Sequence, residues 1–362
     1  MDHHPPHRAS VRSTRSRTRD GGVAQRAPRD QRALRQSAGL AARDRHERRD
    51  RFAVLLGGRR ARATETSLGA SVVSWATASD GTRLHYEVIG RRSAPPVLMI
   101  QGLGADKHLW DLQRFVLATR YRVIAHDNRG AGRSDKPFGP YTLPQMADDA
   151  MAVLDHAGIE NAHVVGASMG GAISQLVGIL HPERVRSLSL VCTSCSNHQW
   201  RRDLLSSWGD LALEKGMSEM TMQAARWVIG PRSLRRLWPA FSWLGPVATS
   251  RESHGFHAQV QAILDADDSL STLLGQISVP TAVIVGNQDI LTPRGDSEEL
   301  ADRIPTAELT VLSGAAHGLM IEHATTFNRV LGDFLTRAEL AWKAQQTRTE
   351  GGRHLRAVPN AS

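Results

Sequence analysis

Within this 362-residue chain, Gly166-Ala167-Ser168-Met169-Gly170-Gly171 follows an apolar run, Ala162 to Val165, and opens a longer amphipathic stretch to Leu180. A serine at so sharp a strand-to-helix turn is held in a strained backbone conformation. Small residues two positions to either side let strand and helix approach closely. Gly166 and Gly170 supply that smallness. The Ser168 hydroxyl then projects above the sheet, and the Met169 amide, at a helix start, faces any negative charge that develops there.

A serine hydroxyl is a poor nucleophile at neutral pH and needs a base, itself oriented by an acid. The run Thr281 to Val285 leads into Gly286-Asn287-Gln288-Asp289, and the run Ala307 to Leu312 leads into Ser313-Gly314-Ala315-Ala316-His317. Asp289 and His317 therefore fall in loops after strands, and the chain order Ser, Asp, His suits a triad on a parallel sheet. Rival carboxylates have plainer readings. Asp127 opens the Gly-rich turn Asp127-Asn128-Arg129-Gly130-Ala131-Gly132, while Asp265, Asp267 and Asp268 read as solvated. That turn lacks the third glycine of a dinucleotide-binding loop, so no cofactor is expected.

A second donor for an oxyanion is expected from the loop Gln101-Gly102-Leu103-Gly104, through the Leu103 amide paired with that of Met169. Cys192-Thr-Ser-Cys195 could be a redox pair or half of a zinc site, but further ligands at suitable spacing are missing. A packing role suffices for it, and no metal is expected.

These side chains need a scaffold that delivers them to one edge. Between about residues 71 and 345 short apolar runs alternate with longer amphipathic ones, the pattern of a mostly parallel sheet with helices on both faces. Eight strands are predicted: Val72 to Thr77, Arg83 to Ile89, Val97 to Ile100, Tyr121 to Ala125, Ala162 to Val165, Val185 to Val191, Thr281 to Val285 and Ala307 to Leu312. The first two read as an antiparallel hairpin turning at Asp80-Gly81. The last helix is predicted over Thr325 to Ala338.

The alternation breaks once, over about 197–275, a helical stretch holding five of the eight Trp: Trp200, Trp208, Trp227, Trp238 and Trp243. This is expected to be a cap inserted after strand 6, over the edge where open α/β sheets place ligands. Core segments 71–196 and 276–345 then flank it. Trp110, Trp200 and Trp227 are the expected substrate contacts.

Composition bounds what remains. The net charge of +9 resides in the first 65 residues, where 17 Arg face 7 acids; the rest carries 28 Lys plus Arg against 29 acids. Residues 1–70 are too polar to build a core and are expected to be disordered, as is a tail over 346–362. With the basic excess confined to that extension, nucleic acid is not an expected partner; oligomeric state is left open. Two cysteines point to a reducing, cytoplasmic setting, and no apolar run reaches the roughly 18 residues of a membrane span.

From Ser71 to about Ala338 the chain resembles the α/β-hydrolase superfamily. The resemblance rests on Gly102-Leu-Gly104, Trp110, Asp127-Asn-Arg-Gly-Ala-Gly-Arg-Ser-Asp-Lys-Pro137, Gly166-Ala-Ser-Met-Gly-Gly171, His181-Pro-Glu-Arg-Val185, Gly286-Asn-Gln-Asp289 and Gly314-Ala-Ala-His317. It is most similar to the branch holding 3-oxoadipate enol-lactonases and small carboxylesterases, departing from it at Gln101 and Ala167. The resemblance implies an eight-stranded, mostly parallel α/β-hydrolase sheet with a short helical cap. It also implies a cofactor-free serine hydrolase acting on a small ester or lactone through Ser168, Asp289 and His317. Carbon-carbon bond hydrolysis and perhydrolysis use the same triad, and a silent ligand receptor is the non-enzymatic alternative. Relatives with an Asp nucleophile are disfavoured by Ser168.

Overall fold

The computed structural model describes residues 71–235, 252–266 and 268–356. The extension at 1–70 lies outside them, as do Trp238 and Trp243.

Eight strands form one sheet: β1 (Val72–Thr77), β2 (Arg83–Ile89), β3 (Pro96–Ile100), β4 (Arg122–His126), β5 (Ala162–Ala167), β6 (Val185–Val191), β7 (Thr281–Gly286) and β8 (Ala307–Leu312). They run in the spatial order β1-β2-β4-β3-β5-β6-β7-β8. β1 pairs with β2 antiparallel, and β2 pairs with β4 antiparallel. Every other pairing is parallel. The hairpin turns where expected, with Gly81 at φ 86° and Asp80 accepting from the Thr82 amide at 3.0 Å.

Because side chains alternate along a strand, strands buried on both faces feed two cores. Leu98, Ile100, Ile124, Val164 and Leu188 join one core, with helices α2 (Leu143–His156) and α3 (Met169–Leu180). Val97, Met99, Val123, Val165 and Ile284 join the other, against α1 (Asp111–Leu117) and Phe327, Leu331 and Phe334 of the last helix.

After β6 come α4 (Gln199–Lys215), α5 (Met217–Val228) and α6 (Ser253–Leu264). They carry a third core in which Leu205, Trp208, Met220, Phe256 and Val260 pack with Leu291. Leu291 belongs to the loop that follows β7, so the helical insertion closes over the strand ends. The chain continues through α7 (Arg294–Arg303) and the short α8 (Leu319–Glu322).

The last helix, α9, runs Ala324–Arg356, well past the predicted end at Ala338 and through most of the tail expected to be disordered from 346. The reason is local. No proline interrupts the chain before Pro359, and the extra turns are anchored: Glu339 binds His163 at 3.1 Å and Arg186 at 3.1 Å, and Arg186 lies over the Trp342 ring.

Candidate active site

Parallel strands deliver their carboxyl ends to one rim, and each loop there carries a candidate. Ile100 pairs with Gly166, Ala167 with Val191, and Gly286 with Leu312, so the loops after β3, β5, β6, β7 and β8 emerge side by side.

Ser168 sits between β5 and α3 at φ 54°, ψ −120°, a region that costs a non-glycine residue roughly 1–3 kcal/mol. Its peptide groups hold it there. The Ser168 amide donates to Val191 O at 2.9 Å, and its carbonyl accepts from the Gly171 amide and Thr193 Oγ1, both at 2.8 Å. The flanking glycines are steric necessities: a Cβ at Gly166 would lie 2.1 Å from Gly170 O, and one at Gly170 would lie 2.3 Å from Ile100 O.

His317 follows β8, and its Nδ1 lies 2.8 Å from Asp289 Oδ2. The other oxygen of Asp289 accepts from the amides of Leu291 and Thr292, both at 2.9 Å, and Thr292 Oγ1 donates to Oδ2 at 2.9 Å. Burial pushes the Asp289 carboxyl up, but His317 and the Thr292 hydrogen bonds outweigh it and hold the group below its ordinary value. An ionised carboxylate on Nδ1 fixes the ring tautomer, leaving Nε2 free to accept a proton.

Ser168 and His317 line one cavity of about 280 Å³. Leu103 and Met169 line it too, and among the described residues neither of their amides donates to a protein acceptor. The loop carrying Leu103 is pinned from both sides. Gln101 O accepts from Asn128 Nδ2 at 2.9 Å, and the Gly104 amide donates to Gln259 Oε1 on α6 at 2.8 Å. The neighbouring Gly102 is close enough to Ser168 that a Cβ on it would lie 3.1 Å from the serine Cβ.

The tryptophans are placed differently from expectation. Trp110 is fully buried in the core beneath the sheet, stacked on Phe327, and does not line the cavity. Trp200 is exposed and stacks on Trp227 with ring centroids 6.3 Å apart, and neither lines the cavity. Trp208 does, because it lies on the face of α4 that packs inward with Leu205.

Cys192, at φ 45° and fully buried, has its sulfur near Asp289 and His317: its Sγ and their ligating atoms all fall within 4.8 Å of one another. A metal there would need a thiolate. Burial, with the Asp289 charge beside it, pushes the Cys192 thiol well up instead, so the group reads as packing beside Asp289 and His317.

A family model described as alpha/beta hydrolase fold matches residues 95–214. The chain is 30% identical over 267 residues to 3-oxoadipate enol-lactonase 2 of Acinetobacter baylyi, a match covering 70% of this chain and 93% of the relative. The chain belongs to the α/β-hydrolase superfamily. It is also 33% identical over 267 residues to 2-hydroxymuconate semialdehyde hydrolase of Pseudomonas sp. strain CF600, covering 68% of this chain and 88% of that one. Among solved structures, the enol-lactonase from Burkholderia xenovorans LB400 superposes with a TM-score of 0.68 at 29% identity, covering 73% of this chain and all of that one.

In this α/β hydrolase, three contributors were not singled out from sequence: Thr292, Gln259 and Arg201. Thr292 left a faint signal, since a hydroxyl three residues after Asp289 can reach back to a carboxylate in a turn. Gln259 and Arg201 left none, because their partners lie far away in the chain: Gln259 at Gly104 and Arg129, and Arg201 at Asp296. No helix among the described residues is long and apolar enough to cross a membrane.

Proposed function

We propose that this enzyme is a serine hydrolase that cleaves a carboxylic ester or lactone through an acyl-enzyme on Ser168. The observation that carries the proposal is the shared cavity: a strained serine and an Asp-bound histidine open onto the same 280 Å³ of mainly apolar space.

Ser168 Oγ attacks the carbonyl carbon while His317 Nε2 takes its proton. Asp289 orients the ring and stabilises its positive charge. The carbonyl oxygen becomes an oxyanion held by the Leu103 and Met169 amides, each such donor contributing about 10²- to 10³-fold in rate. His317 then returns the proton to the leaving alkoxide, releasing the alcohol. Water repeats the sequence on the acyl-enzyme and frees the acid. Side chains and backbone amides carry every step, so no cofactor enters the scheme. For a lactone, the released hydroxyl and acid stay in one product. A cytoplasmic setting suits Cys192 and Cys195, both of which are free thiols.

The named activities of the relatives, an enol-lactonase and a semialdehyde hydrolase, support a small carbonyl substrate. The test is a panel of p-nitrophenyl esters, an enol-lactone and a vinylogous diketone, run on wild type and Ser168→Ala together. Ester or lactone turnover lost in the alanine variant supports the scheme. Turnover surviving in that variant removes Ser168 as nucleophile, and turnover of the diketone alone moves the reaction to carbon-carbon bond cleavage.

A further inference from the structure

The cavity wall is apolar over most of its extent, with Leu176, Ile179, Met220, Phe256 and Ile263 among its residues. One stretch differs. The crossover from β6 into α4 contributes Ser194, Ser196, Asn197 and Arg201, and Arg201 is the one permanently charged side chain among the described lining residues.

An arginine alone in such a cavity would draw a carboxylate, since its planar fork of donors matches that group. Both terminal nitrogens of this arginine are already matched, while its buried Nε has no partner among the described residues. Arg201 Nη2 bonds Asp296, and Nη1 donates to Ser194 Oγ at 2.7 Å and Ser196 O at 3.1 Å. Arg201 is 2% exposed and Asp296 4%, so water screens neither charge well. Asp296 sits behind Arg201 and is not itself in the cavity wall.

We infer, on the reading of Ser168 as an ester nucleophile, that the Arg201–Asp296 pair makes this a site for uncharged esters or lactones and turns away substrates with a distal carboxylate. A second carboxylate brought to Arg201 would lose its water beside the negative charge of Asp296, and like charges placed together at a buried contact are strongly unfavourable. No other permanently charged cation among the described lining residues is available to offset it. A neutral carbonyl or hydroxyl at the distal end can instead accept from Ser194 or the guanidinium without adding charge. Asp296 is thus a specificity determinant that touches no substrate.

The test uses the full chain and matched p-nitrophenyl esters of succinate, adipate and suberate, each with its distal carboxyl either free or capped as a methyl ester. Wild type should prefer the capped partner by about 10²-fold in kcat/KM wherever the chain is long enough to reach Arg201. Asp296→Asn, which unmasks the arginine, should shrink that ratio at least tenfold by raising kcat/KM for the free acids. Asp296→Ser, a second unmasking variant, should shrink the ratio likewise and serves if Asp296→Asn does not fold; a ratio unchanged from wild type in a folded variant overturns the inference. Equal or better use of the free acids by wild type overturns this inference alone. A wild type inert toward every ester and lactone overturns the hydrolase reading, and this one with it.

Discussion

Among the described residues are two buried aspartate–histidine pairs built from nearly the same contacts, and only one of them opens onto the cavity. Asp289 holds His317 Nδ1 at 2.8 Å and accepts two backbone amides; Asp127 holds His85 Nδ1 at 3.2 Å and accepts the amides of Lys107 at 2.8 Å and Arg133 at 2.9 Å. Both carboxyls are held below their ordinary value against the opposing effect of burial. The surroundings of the ring differ. His317 lines the cavity beside Ser168, whereas His85 is fully buried and its Nε2 has no partner among the described residues. Asp127 is further tied to Lys107 Nζ at 3.4 Å and crowded by Gly132, where a Cβ would fall 2.3 Å from its carboxyl carbon. On the proposed mechanism, reactivity depends on what the far ring nitrogen faces, and the pair alone does not confer it.

The most severe way to break the comparison is to remove the reactive centre on one side. Ser168→Ala is expected to lower kcat by about 10⁶-fold, with urea midpoints close to wild type. His85→Ala should do the reverse, costing stability while the folded fraction keeps kcat within about threefold of wild type. Titrating active sites with a fluorophosphonate separates the two readouts. Next in size are the acids. Asp289→Asn should cost about 10⁴-fold in kcat by spoiling the tautomer. Asp127→Asn should instead cost about 1.5–3 kcal/mol of stability, since the Lys107 and Arg133 amides lose a charged acceptor while Glu87, 3.3 Å from Lys107 Nζ, still pairs that ammonium. Equal kinetic damage from both substitutions would end the distinction.

That distinction was only partly legible in the sequence. All eight strands could be read because alternating and buried apolar runs punctuated by glycine and proline leave a direct trace, and Ser168, Asp289 and His317 could be placed because each follows such a run. Asp127 was read as turn chemistry for the same reason, since its Gly-rich context was visible. Periodicity gives a helix without saying which helix face meets the cavity, so Trp208 is legible only as one of the cap's tryptophans, while Trp200 and Trp227 are favoured as contacts. The end of α9 is set too early at Ala338 because its anchors just beyond, Glu339 and Trp342, take partners on β5 and β6 that the sequence does not show.

A third histidine sharpens the comparison through pH. His126 is wholly buried next to Asp127, and burial pulls its pKa down to about 4 despite that neighbouring charge. The unfolded chain takes up this proton first, at its ordinary value near 6.5. Stability must therefore fall as pH drops from about 6.5 to about 4, by up to about 3 kcal/mol for this group, and level off for it below that. Glu339, held at about 2 by His163 and Arg186 against its burial, contributes stability that is present above its unfolded value near 4.5 and is lost as pH falls toward 2. Urea midpoints at pH 7 and pH 4.5 should differ clearly in wild type and much less in His126→Met. An unchanged difference in the variant would show that other groups drive the acid loss.

The smallest expected effect tests what distinguishes the reactive pair within its own hydrogen bonds. Thr292 Oγ1 donates to Asp289 Oδ2 and lies 3.2 Å from His317 Nδ1, so its hydroxyl meets both members of the pair; the Asp127 pair has no hydroxyl in that position among its described partners. Thr292→Val keeps the shape and the backbone bond to Asp289 but deletes the hydroxyl, worth about 1 kcal/mol, or about five- to tenfold in kcat. Thr292→Ser should restore most of the loss. With one donor gone, the carboxylate orients the ring less well, so kcat should fall in the valine variant while KM for the same ester stays near wild type, and kcat should return in the serine one. A rise in KM as large as the fall in kcat, left unrepaired by the serine variant, would mean that Thr292 holds the loop in shape and has no hand in orienting the ring.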